Sequence, residues 1–481
     1  MPIGCLAERS WIVGIIFKSW LGLPYRLTQS QRSTVSITVR DHEGEIFLPD
    51  CFFSQFNKDS TSWLSSASLP VLASDESLPQ HDISFLENTR LISPWIPIIF
   101  GCDPVENNCP RCMLQSCTGD LWNAPAQQHS MGLPLDVFGS AFFMLSRYEE
   151  AVIRERDSHD RFPGTASLAY RAGFLDRPIV DEYVEILWLA IKKIWPSLER
   201  KTHRSRTFIS CDVDSPFFWR RGNLRTLRRF GGDIIKRRAP YRAFKNAIED
   251  LRASFGEQVK DPHRSGVDFI MNINENYNNC VTFFFIPRDT DKKFDDIISL
   301  NEPRMRSLFR EIHQRGHQIG LHPGYNTYRD PTAMLEGFRS ICGVLNDEGI
   351  SQPELGSRQH FLRWDSKLTP KILDDIGIDY DSSLSFADRP GFRCGTCREY
   401  NLFDLSEREP LGLRERPLIT MESSIIADRY LGLNHGPEAL QMFLDFRNTC
   451  RRFNGDYTLL WHNSHFSTKA DIEFYEEILS D

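Results

Sequence analysis

From about residue 205 onward, short apolar runs follow one another: "TFISCDVD", "VTFFFIP", "HQIGLHPG", "PELGSRQHF", "LITMESSI" and "YTLLWHNSHF". Helix-patterned stretches lie between several of them. "EPRMRSLFREIHQRG" carries its apolar residues at Met305, Leu308, Phe309 and Ile312, with Gly316 where a helix stop belongs. "TPKILDDIGIDYDSSL" reads as a helix running into a strand. Strands that alternate with helices pair in parallel and are covered on both faces. Polar residues at the strands' C-terminal ends then gather on one rim. The expected fold class is therefore α/β: a β/α barrel with its site on that rim.

The first 200 residues have a different texture. Short β-like runs ("STVSITVRD", "GEIFLPD", "IPIIFG") are joined by turn-rich segments. Two amphipathic helices follow, "LDVFGSAFFMLSRYEEAVI" and "VDEYVEILWLAIKKIW", the second stopped by Pro196. "LERKTHRSR" then reads as a charged linker. The expected division is a smaller α+β domain over 1–203 and the barrel over 204–481, which suits a chain of 481 residues. Limited proteolysis is expected to cut the linker rather than the barrel.

"TFISCDVDSP" sends Asp212 and Asp214, two places apart, to the same side of a buried strand. Such a pair costs free energy unless a cation or a shared proton offsets the repulsion. The rim also collects His322, Arg358, His360 and His462 at later strand ends. Carboxylate plus imidazole is a ligand set for zinc or a similar divalent ion with one position left for water. A second carboxylate can then take a proton from that water, and a histidine can give one to a leaving group.

The order of these stretches resembles the polysaccharide deacetylase superfamily (carbohydrate esterase family four, NodB-homology domain), whose fold is a distorted β/α barrel. "TFISCDVD" is similar to the family's first motif, "GHQIGLHPGYN" to its second, "GSRQH" to its arginine motif and "LLWHNS" to its last. The resemblance covers roughly residues 205–470. It implies Asp212 as catalytic base, Asp214 and His322 as metal ligands, Arg358 as the residue orienting an acid, and His462 as general acid. The N-terminal half, through "LDVFGSAFFMLSRYEE" and "RFPGTASLAYRAGFLDRPIVDEY", resembles the uncharacterised domain preceding such barrels in bacterial polysaccharide gene clusters. "RQHFLRWD" and "GFRCGTC" are similar to that subgroup.

Three departures stand out. Val213 separates two acids that are adjacent in the usual first motif, and Asn326 occupies the position of the second metal histidine. His360 and Phe361 stand where the arginine motif continues with a Pro-aromatic pair. Either His360 replaces the missing ligand, or the metal is held weakly, or it is lost. Glu422 and Trp461 complete the candidate rim residues.

Other features have a bland and a functional reading. "HQRGH" spaces His313 and His317 like a zinc pair, but Gly316 breaks the required helix. "RDSHDRF" (Asp157, His159, Asp160) resembles a hydrolytic dyad without a nucleophile and reads as structural or interdomain. Of twelve cysteines, Cys102, Cys109, Cys112 and Cys117 cluster as a structural zinc knuckle or as free thiols. Cys394 and Cys397 form a CxxC with no thioredoxin-like strand before it, so loop packing is expected.

Hydrophobic residues at 41% and charged residues at 25% exclude disorder. The net charge of −8 is uneven: residues 220–245 hold ten Lys/Arg and one Asp, or +9, leaving −17 elsewhere. That run suits an anionic glycan, a nucleotide-sugar phosphate or a membrane surface; the alternative is a solvated helical face. No nucleic-acid motif accompanies it. "WIVGIIFKSWLGL" is too short to span a bilayer, is interrupted by Lys18 and lacks a cleavage site, so it reads as a first strand or helix of a cytoplasmic protein.

Three function classes remain. The first is metal-dependent hydrolysis of an N-acetyl or related acyl amide on a sugar in polysaccharide biosynthesis. The second is a catalytically degenerate barrel that binds glycan or scaffolds partner enzymes. The third, glycosidic cleavage by two carboxylates, fits poorly, because acids two apart on one strand cannot flank a sugar.

Overall fold

The computed structural model describes residues 1–56, 63–64, 69, 80–82, 90–93, 95–101, 130–218, 261–466 and 468–480. The basic run 220–245 and the cysteine cluster 102–117 lie outside the described residues.

Fourteen described strands form three sheets. β1 (Thr34–Ile37), β2 (Glu45–Pro49) and β5 (Ser130–Gly132) make one small sheet, and β3 (Gln80–Asp82) pairs with β4 (Trp95–Pro97). The remainder form the large sheet: β6 (Arg206–Val213), β7 (Val281–Phe285), β8 (Gln318–Leu321), β9 (Gly356–Ser357) and β10 (Tyr380–Asp381), then β11 (Tyr400–Asp404), β12 (Glu409–Glu415), β13 (Thr420–Met421) and β14 (Asp456–Leu460). Their order is β11-β12-β10-β9-β8-β7-β6-β14-β13. Every pairing is parallel except the β11–β12 hairpin.

This sheet is strongly curled. β12 ends at Glu415 and β13 begins at Thr420, so the chain between them reaches at most about 18 Å. In a flat sheet these strands would stand seven positions, or roughly 34 Å, apart. Yet no ladder joins β13 to β11 or β12 among the described residues. The expected barrel is thus an α/β sheet curled toward closure without the last ladder.

Two expectations are corrected and one element is new. "LITMESSI" is a strand only at Thr420–Met421, and Glu422 begins the helix Glu422–Ile426. The β11–β12 hairpin was unforeseen, because its turn passes through Arg408 at φ 60° rather than through glycine. The helix expected from Val137 breaks after Leu145 and resumes at Tyr148. Arg147 adopts φ 56° at the break, where its buried guanidinium pairs with Glu149 and Glu150.

The N-terminal region shares the core of the large sheet. "WIVGIIFKSWLGL" is helical as far as Leu21 rather than a strand, and it buries Trp11, Ile12, Ile16 and Trp20 while Lys18 and Ser19 stay exposed. Trp11 packs on Phe403 with centroids 5.2 Å apart and donates to the Asn401 carbonyl at 3.0 Å. Phe142 packs on Phe403 at 5.3 Å. The charged linker is tied down, with Lys201 N–H donating to the Leu21 carbonyl at 2.7 Å. Among the described residues, no helix is long and apolar enough to cross a membrane.

Helix Pro262–Asn276 seals the sheet behind the last candidate strand end. A Cβ on Gly266 would stand 1.9 Å from the Asn463 carbonyl oxygen, so only glycine lets this helix approach the 462–465 turn. Gly266→Ala should therefore destabilise the protein by about 1–3 kcal/mol. A calorimetric melting point equal to that of the unmodified protein would contradict this packing.

Candidate functional site

Asp212 occupies β6 and Asp214 follows its last residue. His322 follows β8, Arg358 and His360 follow β9, and His462 lies two residues beyond β14. Parallel pairing of β14, β6, β7, β8 and β9 brings these ends to one rim. Asp214, His322 and His360 offer one ligand atom each, all within 4.8 Å of one another.

The hydrogen bonds around the two rings decide which nitrogens face inward. His322 Nδ1 donates to the Arg358 carbonyl at 2.5 Å, and His360 Nδ1 donates to Asp295 Oδ1 at 2.8 Å. In the neutral rings the Nε2 lone pairs are then left facing Asp214 Oδ1, at 3.3 Å from His322 and 3.6 Å from His360. Asp214 Oδ1 is buried without a hydrogen-bond partner, although the side chain as a whole is 41% exposed. With both rings neutral, three acceptors in contact repel unless a cation lies between them; without an ion, a proton on an Nε2 offsets the repulsion instead. Tetrahedral ligands at roughly 2.0–2.1 Å stand about 3.3 Å apart, so the spacing and donor set fit a zinc-like ion.

Around this group each member is held by others. Arg358 Nη1 donates to Asp212 Oδ1 at 3.2 Å and to Ser210 Oγ at 2.6 Å, while its Nε and Nη2 donate to the Ser382 carbonyl and hydroxyl, both at 2.8 Å. Asp212 Oδ2 lies 3.9 Å from His322 Nε2, so this carboxylate borders the same space. His462 Nδ1 lies 2.5 Å from Glu422 Oε1, its Nε2 3.8 Å from Asp214 Oδ2. His465 Nδ1 reaches the same Glu422 oxygen at 2.9 Å.

The electrostatics follow from these contacts. Burial alone would raise the Asp214 carboxyl, but His322, His462 and His360 outweigh it and hold the group well below the usual carboxylate range. Burial disfavours the charged form of His462, yet Glu422, with Asp214 behind it, pushes the imidazole up to about 10. Its Nε2 therefore carries a proton at neutral pH. His322 is raised as well: burial opposes this, and Asp212 and Asp214 prevail.

Two sequence candidates stand outside this group. Asn326 is exposed; its amide donates to the Thr290 carbonyl at 3.0 Å and its oxygen accepts from Arg363 at 3.1 Å. Trp461 is fully buried against Phe443, Phe466, Phe474 and Tyr475. It packs into the helix layer while its neighbour His462 faces the rim, because successive residues of an extended chain point to opposite sides. Trp461 therefore does not line the site.

Asp295 was missed altogether. It accepts from His360, from Thr290 N–H and Oγ1 at 2.7 and 2.8 Å, and from the Asp291 and Tyr325 amides, both at 2.9 Å. Burial pushes it up, but these donors hold it at about 2. The available signal was an acid in the loop after β7, in "RDTDKKFDD". His465 and Ser210 were also unforeseen.

The remaining motifs have structural partners. His317 Nδ1 accepts from Val281 N–H at 3.2 Å. Cys394 and Cys397 are buried and unpaired in disulfides. Burial raises the Cys394 thiol to about 12, and contact with Cys450 together with burial raises that of Cys397.

Residues 3–196 match a family described only as being of unknown function, DUF7033. No curated protein matches the chain. The solved structures with some likeness to it include these three. One, from Mycobacterium smegmatis, carries the provisional description of a polysaccharide deacetylase; it is 17% identical over 58% of this chain and 85% of that one, with a TM-score of 0.37. A probable polysaccharide deacetylase from Pseudomonas aeruginosa PAO1 is 15% identical over 65% and 90%, with a TM-score of 0.36. Puue allantoinase is 13% identical over 57% and 83%, with a TM-score of 0.35. Likeness this low leaves fold and chemistry to be judged from the chain's own residues.

Proposed function

We propose that this protein is a metal-dependent hydrolase that removes an acetyl or related acyl group from an amide nitrogen of a sugar in bacterial polysaccharide biosynthesis. The observation that carries the reaction class is the convergence of Asp214 Oδ1 with the Nε2 atoms of His322 and His360. The sugar rests on the motif order from "TFISCDVD" to "LLWHNS". Asp214, His322 and His360 would hold the divalent ion, for which zinc is the best match to one carboxylate and two imidazoles. When bound, such an ion polarises a carbonyl and makes water a better nucleophile.

The chain's own groups supply the proton transfers. Asp212, oriented by Arg358, takes a proton from the attacking water. The amide C–N bond breaks as His462 gives its Nε2 proton to the departing nitrogen, with Glu422 holding Nδ1. The water oxygen leaves on the acyl carbon. The division into 1–203 and 204–481 belongs to the same proposal, with the site on the second part.

The test is acetate release from N-acetylated sugars and glycolipids by zinc-loaded protein. Asp212→Asn and His462→Ala are each expected to lower the rate by about 10²–10⁴-fold while retaining stoichiometric metal. A protein that neither binds a divalent ion nor releases acetate would be the glycan-binding barrel instead.

A further inference from the structure

The turn that carries His360 is strained. Phe361 and Leu362 adopt φ of 61° and 55°, left-handed values that side chains with a Cβ avoid. Such conformations persist only where surrounding structure holds them. Here part of that structure comes from 200 residues away in sequence. Arg161 Nη1 donates to the Phe361 carbonyl at 3.0 Å, and its side chain is only 10% exposed. Asp157 holds Arg161 in turn, accepting from its Nε at 2.8 Å and its N–H at 3.0 Å. The His159 ring lies 4.6 Å from that of Phe361, and Arg363 Nε donates back to the His159 carbonyl at 2.8 Å. The two loops thus clamp each other immediately beside His360.

We propose that Arg161 is a positioning residue of the metal centre: by holding the Phe361 carbonyl it fixes the left-handed turn that aims His360 Nε2 at Asp214. This rests on the reading of Asp214, His322 and His360 as metal ligands. It gives the N-terminal region a part in the site, and it assigns the Asp157–Arg161 stretch a role other than that of a dyad. His360 is held from two sides, by Asp295 on its Nδ1 and by Arg161 through the backbone of the next residue. Losing the second hold leaves a ligand that is bonded but free to swing with its turn.

The experiment is titration of the metal-free full chain with Co(II), read by competition with a chromogenic chelator and by visible absorption of the bound ion. Arg161→Ala should weaken Co(II) binding by about tenfold or more, as losses around metal ligands do, and should change the absorption spectrum. Arg161→Lys, which retains a donor, should recover part of the affinity. Arg398→Ala is the control. It breaks another contact between the two regions, the 2.6 Å ion pair with Asp181, beside Cys397 at the opposite end of β14. Its affinity and spectrum should match those of the unmodified protein. If Arg161→Ala does not fold, Asp157→Asn loosens the same clamp and should shift affinity in the same direction. Affinity and spectrum unchanged in the Arg161 and Asp157 variants, with Co(II) bound normally by the unmodified chain, would overturn this inference alone. No binding by the unmodified chain would overturn the proposed function and this inference with it.

Discussion

Asp214→Asn and His322→Ala should each abolish stoichiometric retention of a divalent ion, and His360→Ala should weaken binding by about tenfold or more. Asn326→Ala should change little. The asymmetry follows from where the side chains go: His360 Nε2 stands 3.6 Å from Asp214 Oδ1, whereas both ends of the Asn326 amide are engaged by Thr290 and Arg363. A neutral amide oxygen is in any case a weak zinc ligand. Elemental analysis and chelator competition decide the matter. Undiminished affinity in His360→Ala beside lost affinity in Asn326→Ala would reverse the ligand assignment. Metal retained in both Asp214→Asn and His322→Ala would put the ion elsewhere.

Glu150→Ala should destabilise the whole molecule by about 3–5 kcal/mol, the cost of stranding buried partners. Glu150 accepts from Arg147 Nε at 2.9 Å and from Arg393 Nε and Nη2 at 2.8 and 2.6 Å. All three side chains are buried. The pair joins the N-terminal region to the "GFRCGTC" loop, so the damage should not stay local. Burial alone would raise the Glu150 carboxyl, but Arg393 and Arg147 hold it down at about 2, below its ordinary 4.5. A depressed acid contributes its stability above the ordinary value and loses it as pH falls through the folded one. The unmodified protein should therefore lose stability between about pH 4.5 and 2, and Glu150→Gln should show a shallower loss there. Urea unfolding at a series of pH values reads both effects. Equal slopes would mean that Glu150 does not titrate in this window.

Much of the large sheet was legible because its signals are local. Apolar runs of strand length, helical spacing at Met305, Leu308, Phe309 and Ile312, and a glycine stop at Gly316 each depend on a few neighbouring residues. Polar residues at strand ends picked out Asp212, Asp214, His322, Arg358, His360 and His462, all of which the structure brings to one rim. The β11–β12 hairpin escaped notice because Arg408 takes a left-handed turn position where glycine is the usual marker.

By itself the sequence determined an α/β arrangement in the second half and the residues that such an arrangement sends to its rim, since strand period and chain direction suffice for that. Tertiary structure alone decided which of them touch. Asp295 reaches His360 from the loop after β7, Glu422 reaches His462 from the start of a helix, and Arg161 reaches Phe361 from the other half of the chain. No spacing along the chain encodes these pairings. They depend on strand order, on which face each side chain takes and on how the N-terminal region docks, all of which arise only when distant segments pack.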